Sequence, residues 1–272
     1  MAGRYPLEHL WRIAPEWKLT SVLEVRNLSK SFGGVAAISD VSLTFASGSL
    51  TAIIGPNGAG KSTFFNLISG GLKPDSGRVT HNGAELVGRS RAKFIHAGIG
   101  RAFQIAKIFH SLTVEETLLA AVAAHEGKSI HMRHRFPLPG TRTRVIELAE
   151  MLGLSGRLKT LSANLSHGDQ KLLDIALALV LKPRVLLLDE PTAGMGPDER
   201  WRMIATVHQL WETQKITLIF IEHDMDIVFK IAPSICVLCY GRLLAQGSPD
   251  EIRANPAVIE AYLGTSEERV PA

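Results

Sequence analysis

The chain has 272 residues, 46% of them hydrophobic, and a formal charge of +4 with a pI near 9.1. That is enough apolar material for one large domain or a domain with a subdomain, and the mild basic excess suits an anionic ligand or a membrane surface without requiring either. Two cysteines exclude a disulfide framework, no apolar run approaches the ~20 residues of a membrane span, and no charged start leads into an apolar secretory segment, so a soluble, cytoplasmic chain is expected.

Residues 1–20 carry Leu7, Leu10, Trp11, Ala14 and Trp17 at near-helical spacing, but Pro15 interrupts them. A poorly ordered N-terminal extension is expected there. Residues 22–25 and 41–45 alternate as half-buried strands. The run Leu50-Thr51-Ala52-Ile53-Ile54 reads as a buried strand, and residues 61–69 read as a helix stopped by Gly70 and Gly71. Pro74-Asp75-Ser76-Gly77 is a turn, residues 78–81 a strand, and Asn82-Gly83 a second turn. From about 92 to 165 the pattern is mainly helical. Thr113-Val114-Glu115-Glu116 is a capping box, and Val145, Leu148, Ala149 and Leu152 mark one face of a helix ended by Gly153. His125, His131 and His134 fall in a basic stretch read as a solvated loop. After 170, strands and helices alternate again. Cys236 and Cys239 sit in an apolar strand and read as core rather than as metal ligands, since no second pair exists.

The nine residues Gly55-Pro56-Asn57-Gly58-Ala59-Gly60-Lys61-Ser62-Thr63 fit the phosphate-loop pattern G-x-x-x-x-G-K-[ST], set between a strand and a helix. Glycines let backbone N–H groups approach phosphate, and the helix N-terminus favours the anion. Lys61 then reaches the β- and γ-phosphates, and the Ser62 hydroxyl binds Mg²⁺. The chain is expected to bind a nucleoside triphosphate.

Further on, Val185-Leu186-Leu187-Leu188 is too short for a helix and ends in Asp189-Glu190. A buried parallel strand delivers its C-terminal residues to the ligand edge of a sheet. Asp189 is thereby placed to hold Mg²⁺, and Glu190 to activate a water as general base.

Several ordered motifs resemble the ATP-binding cassette (ABC) family. Leu165-Ser166-His167-Gly168-Asp169-Gln170 is similar to its L-S-x-G-Q signature, Gln104 to its Q-loop, His223 to its switch histidine, and Phe32 to the aromatic residue that stacks on adenine. Met195-Gly196 falls where the D-loop would be. The resemblance runs from about residue 22 to the C-terminus. It implies an α/β P-loop NTPase core, mainly a parallel sheet flanked by helices plus an antiparallel β subdomain, with an inserted helical subdomain. The core would span about 21–91 and 171–272, and the helical subdomain about 92–170.

What the resemblance implies for function follows residue by residue. Gln104 would contact Mg²⁺ and the water, His223 the γ-phosphate, and residues 165–169 the ATP held by an opposite cassette. A second cassette, identical or not, two integral-membrane permeases and, indirectly, an external substrate-binding protein are the implied partners, with no nucleic acid. The implied location is the cytoplasmic face of the inner membrane. Two positions depart from the family pattern: Asp169 where Gln is usual, and Gly196 where Asp is usual. Ile105, Ile108, Phe109 and Leu112 form an apolar patch after Gln104, where importer cassettes receive a permease helix. Residues 98–104, 221–225 and 255–264 resemble the branched-chain amino acid branch. Urea or amide importers and lipid or polysaccharide exporters are the alternatives, with non-transport cassettes further off.

Overall fold

A computed structural model of the chain describes residues 21–125 and 140–267. The extension at 1–20 and the histidines His131 and His134 lie outside those residues. His125, read with them as loop, is the last residue of a helix.

The chain opens with a long antiparallel hairpin, β1 (Ser21–Phe32) and β2 (Val35–Ala46), followed by β3 (Leu50–Ile54) and α1 (Lys61–Ile68). Two short strands, β4 (Ser76–His81) and β5 (Ala84–Glu85), return to the hairpin and complete an antiparallel sheet in the order β2-β1-β4-β5. They are joined by Asn82 and Gly83, both at positive φ, as the Asn-Gly pair predicts for a tight hairpin turn.

The remaining elements are α2 (Arg91–His96), β6 (Ile99–Ala102), α3 (Val114–His125), α4 (Thr141–Met151), α5 (His167–Val180), β7 (Val185–Asp189), α6 (Pro197–Gln214), β8 (Thr217–Ile221), α7 (Met225–Ile231), β9 (Ser234–Cys239), β10 (Arg242–Gly247), α8 (Pro249–Ala254) and α9 (Pro256–Glu267). Six strands form the larger sheet in the order β10-β9-β3-β8-β7-β6, parallel except for β10.

Composition explains the layering. β3, β7 and β8 are buried at every position, as a parallel sheet covered on both faces requires. Leu186 and Leu188 of β7 face a core shared with α3, α4, α5 and α6. Val185 and Leu187 face the other way, into a core built from Phe64, Phe65, Leu67 and Ile68 of α1 and the inner face of the antiparallel sheet. Cys236 belongs to this second core, and burial pushes its thiol up to about 12. The described residues hold no cluster of three or more His, Cys, Asp or Glu placed to hold a metal ion.

Side-chain caps set several helix starts. Thr113 and Glu116 close the predicted capping box, with Thr113 N donating to Glu116 Oε2 at 2.8 Å and Glu116 N to Thr113 Oγ1 at 3.2 Å. Ser166 caps α5 and Asp224 caps α7. One element breaks the expected pattern. The section read as mainly helical from about 92 opens with α2 and then β6, which pairs in parallel with β7 as the edge of the larger sheet. Four residues including a glycine and an arginine carry no strand period of their own. Their partner lies far along the chain.

Among the described residues, no helix is long and apolar enough to cross a membrane.

Candidate nucleotide-binding site

Four neighbouring parallel strands, β3, β8, β7 and β6, end at one edge of the sheet. Their last rungs line up: Ile53 sits beside Ile221, Ile221 beside Asp189, and Leu188 beside Ala102. The residues that follow are therefore neighbours by construction. β3 delivers the loop 55–60, β7 delivers Asp189 and Glu190, β8 delivers Glu222 and His223, and β6 delivers Phe103 and Gln104. Sequence reasoning placed the glycine loop, Asp189 and Glu190 at a ligand edge, and the family resemblance added Gln104 and His223; the strand order brings all of them together with Phe103 and Glu222.

The loop 55–60 is tightly seated. A Cβ on Gly55 would lie 2.0 Å from the Leu238 carbonyl oxygen, and one on Gly60, at φ 95°, 2.4 Å from that of Ala37. Only glycine fits either place. Pro56 is half-buried, Asn57 and Gly58 are exposed, and Ala59 is buried, its carbonyl accepting from Gly241 N at 3.1 Å. α1 begins without a side-chain cap, which leaves its first N–H groups for an anion. Lys61 is buried and folds back, its Nζ donating to Gly55 O at 2.6 Å and Pro56 O at 2.9 Å. Burial lowers its pKa from the usual lysine value, opposed by the charge of Glu190. Ser62 is exposed and Thr63 half-buried on the first turn of α1. Burial pushes the Tyr262 hydroxyl on α9 up to about 12.

Asp189 is buried and divided between two tasks. Its Oδ2 accepts from Arg101 at 2.7 Å, while its Oδ1 is buried with no hydrogen-bond partner among the described residues. An orphaned carboxylate oxygen at the end of β7 and an exposed serine hydroxyl on the first turn of α1 are both hard-oxygen donors. They fit Mg²⁺ held largely by water and phosphate rather than by a full protein cage.

Glu190 follows in the left-handed region at φ 48°, a conformation non-glycine residues rarely adopt outside over-determined sites. Both its carboxylate oxygens are engaged. Gln104 Nε2 donates to Oε2 at 2.6 Å, and His223 Nε2 lies 2.8 Å from Oε1. Gln104 thus meets Glu190 rather than Asp189. Phe32 stands at the tip of the first hairpin, 48% exposed, with Lys30 Nζ over its ring 5.5 Å from the centroid.

The segment 165–169 is elsewhere. Leu165 and Gly168 are buried, and Ser166 and His167 are exposed. Ser166 accepts from Asp169 N at 3.1 Å, and His167 Nε2 lies 3.1 Å from Ala193 O. No hydrogen bond or ion pair among the described residues joins this segment to 55–63. Asp169 pairs with Arg157 at 3.4 Å, which offsets the charge its departure from Gln introduces. Gly196 is exposed and precedes α6, with Pro197 at the first helical position.

Four buried charged groups escaped sequence reasoning. Lys171 of α5 donates to Phe103 O at 3.2 Å, to Glu190 O at 3.3 Å, and to Gln104 O. Burial lowers its pKa, opposed by Asp174, Asp189, Glu190 and Glu222. Asp174, one turn on, accepts from Phe103 N at 2.7 Å and Lys107 N at 3.1 Å. Burial raises its pKa against those bonds. Glu222 takes Thr192 N at 3.0 Å and Thr192 Oγ1 at 2.6 Å, fixing the loop after β7 to the end of β8. Arg101 is the fourth. The signal available was charge at positions inside apolar patterns, on β6 and on α5.

A strand–glycine loop–helix with an acidic pair at the end of a parallel strand two places along the same sheet defines a P-loop nucleotide-binding protein. The family description "ABC transporter" matches residues 38–193, more than half of the chain. The chain belongs to the ABC transporter family. A second description, "Branched-chain amino acid ATP-binding cassette transporter", matches residues 242–268.

Among its relatives is the high-affinity branched-chain amino acid transport ATP-binding protein LivG of Salmonella typhimurium, 38% identical over 251 residues, 89% of this chain and 98% of that protein. The counterpart BraF of Pseudomonas aeruginosa is 36% identical over 250 residues, with the same coverage of 89% and 98%. A solved cassette of an ABC transporter in its ADP conformation superposes with a TM-score of 0.79 at 31% identity, covering 90% of this chain and 99% of the other. A nucleotide-free cassette gives 0.78, also at 31% identity, over 89% and 99%.

Proposed function

We propose that this chain hydrolyses ATP to drive import of branched-chain or related amino acids through separate permease subunits. The observation that carries the ATPase reading is the convergence of the glycine loop, Asp189, Glu190, Gln104 and His223 at the ends of four adjacent strands. The relatives named above and the match at 242–268 support the amino-acid branch.

On this reading the loop 55–60 and the start of α1 cradle the phosphates, Lys61 turns from its own carbonyls to the β- and γ-phosphates, and Phe32 stacks on adenine. Ser62 and Asp189 would hold Mg²⁺, which when bound neutralises charge on the phosphates. Glu190 accepts the proton of the attacking water, and Gln104 and His223 orient it. Residues 165–169, exposed at Ser166 and His167 and unconnected to this chain's own loop, serve the ATP of a second cassette. The helical section between β6 and α5 moves with the permease, carrying Gln104.

Lys61→Ala is expected to weaken ATP binding by about 10- to 100-fold, the worth of one or two charge-assisted hydrogen bonds. Titration of a fluorescent ATP analogue checks this.

The docking patch is smaller than the four-residue run predicts. Ile105 is 81% exposed and Phe109 56%, whereas Ile108 is buried in the main core. Replacing Ile105 and Phe109 together by serine is expected to abolish co-purification with permeases while the isolated subunit's ATPase rate stays within about twofold of wild type, as surface changes usually allow.

The test of the whole reading is affinity purification from detergent-solubilised native membranes, with mass spectrometry of what accompanies the chain. Two multi-spanning permeases and a second cassette support import. A soluble nucleic-acid or ribosomal partner overturns transport.

A further inference from the structure

We infer that Arg101 is a positioning residue for the metal side of the site: it holds Oδ2 of Asp189 so that Oδ1 alone faces the metal, and it ties that carboxylate to the helix of the glycine loop. The inference rests on the reading of Asp189 as the metal-side carboxylate.

Arg101 lies on β6, the edge strand, next to Asp189 on β7. Their side chains are 8% and 7% exposed, and the NH2–Oδ2 distance is 2.7 Å. The other terminal nitrogen, NH1, donates to Asn66 Oδ1 at 2.8 Å and Ser69 Oγ at 3.0 Å, both at the C-terminal end of α1. One guanidinium thus spans the carboxylate of β7 and the helix that begins with Lys61. The rings of Phe65 and Phe103 flank it, at 5.8 and 5.1 Å from its central carbon. A planar fork between two rings has little freedom to turn.

The consequence falls on the carboxylate. A buried Asp free at both oxygens could rotate about its last torsion and offer either oxygen. With Oδ2 anchored, rotation is stopped and the partnerless Oδ1 is the single oxygen on offer. Groups that orient a metal's carboxylate in this way are worth about 10- to 100-fold in metal affinity. Removing Arg101 frees the carboxylate and also cuts the link to Asn66 and Ser69.

The experiment compares wild type, Arg101→Gln, Arg101→Lys and Asp189→Asn. Bound Mn²⁺ is counted by electron paramagnetic resonance at stoichiometric non-hydrolysable ATP analogue, and analogue affinity is measured separately in EDTA. Arg101→Gln is expected to weaken Mn²⁺ binding about tenfold while analogue affinity in EDTA stays within about twofold. Arg101→Lys, which keeps the charge but loses the fork, recovers part of the loss. Equal losses with and without metal would mean that Arg101 only supports the fold, and would overturn the inference. So would a folded Arg101→Gln that binds Mn²⁺ as wild type does. Should Arg101→Gln fail to fold, Arg101→Lys carries the same comparison, and unchanged Mn²⁺ binding there overturns it equally. Asp189→Asn separates the two layers. If it binds Mn²⁺ as wild type does, the reading of Asp189 itself fails. If it loses metal while the Arg101 variants do not, only Arg101 is wrongly assigned.

Discussion

Glu190→Gln is expected to lower ATP turnover by about 100- to 1,000-fold, the usual worth of a positioned general base, and to accumulate an ATP-bound dimer. The amide keeps the shape of the side chain and can still bond to Gln104 and His223, which now contact the carboxylate at 2.6 and 2.8 Å. What it cannot do is accept a proton from water. ATP affinity should therefore stay within a few-fold of wild type while the chemical step stalls. Single-turnover hydrolysis with size-exclusion chromatography measures both. Hydrolysis at the wild-type rate would remove Glu190 from the base assignment and leave the proton acceptor to be sought elsewhere at the same sheet edge.

The second large effect is expected from Lys171→Met. Lys171 is 2% exposed, and its ammonium bonds to three carbonyl oxygens, those of Phe103, Gln104 and Glu190. Methionine matches its length but leaves those oxygens without a donor and Asp174 without its nearest cation. Breaking a buried charged arrangement from one side costs about 3–5 kcal/mol, enough to halve the stability of an ordinary domain. The same change loosens the backbone that aims Gln104 and Glu190, so turnover should fall with stability. Urea denaturation followed by tryptophan fluorescence gives the first, steady-state ATPase the second. A variant as stable and as active as wild type would show that α5 does not hold the loop after β6.

Much of the site was legible because its motifs are local. Residues 55–63 carry their chemistry within one strand–loop–helix, and 185–190 within one strand and its end. Thr113 and Glu116 are three residues apart, and their reciprocal bonds form as expected. What the sequence hid depends on contacts between distant segments. Arg101 meets Asp189 across 88 positions, and Lys171 meets the Gln104 backbone across 67. No spacing rule links such pairs. β6 was hidden for the same reason, since a four-residue strand with a glycine gains its identity from β7. Ile105 and Ile108 look alike in sequence, yet one is 81% exposed and the other 9%. Only packing separates them.

The engagement of Glu190 has a bearing on what the subunit does while idle. With Gln104 on one carboxylate oxygen and His223 on the other, each oxygen already has a partner within its own chain. On the reading of Glu190 as the base, a stray water competes there with Gln104 and His223 for the carboxylate until nucleotide and the movement of the helical section re-aim those two side chains. The resting subunit is then a quiet one, with its fuel-burning step held behind a latch. On the proposed function, opening that latch would take two separate arrivals, nucleotide on one side and the transporter's own movement on the other, and hydrolysis would be kept in time with cargo.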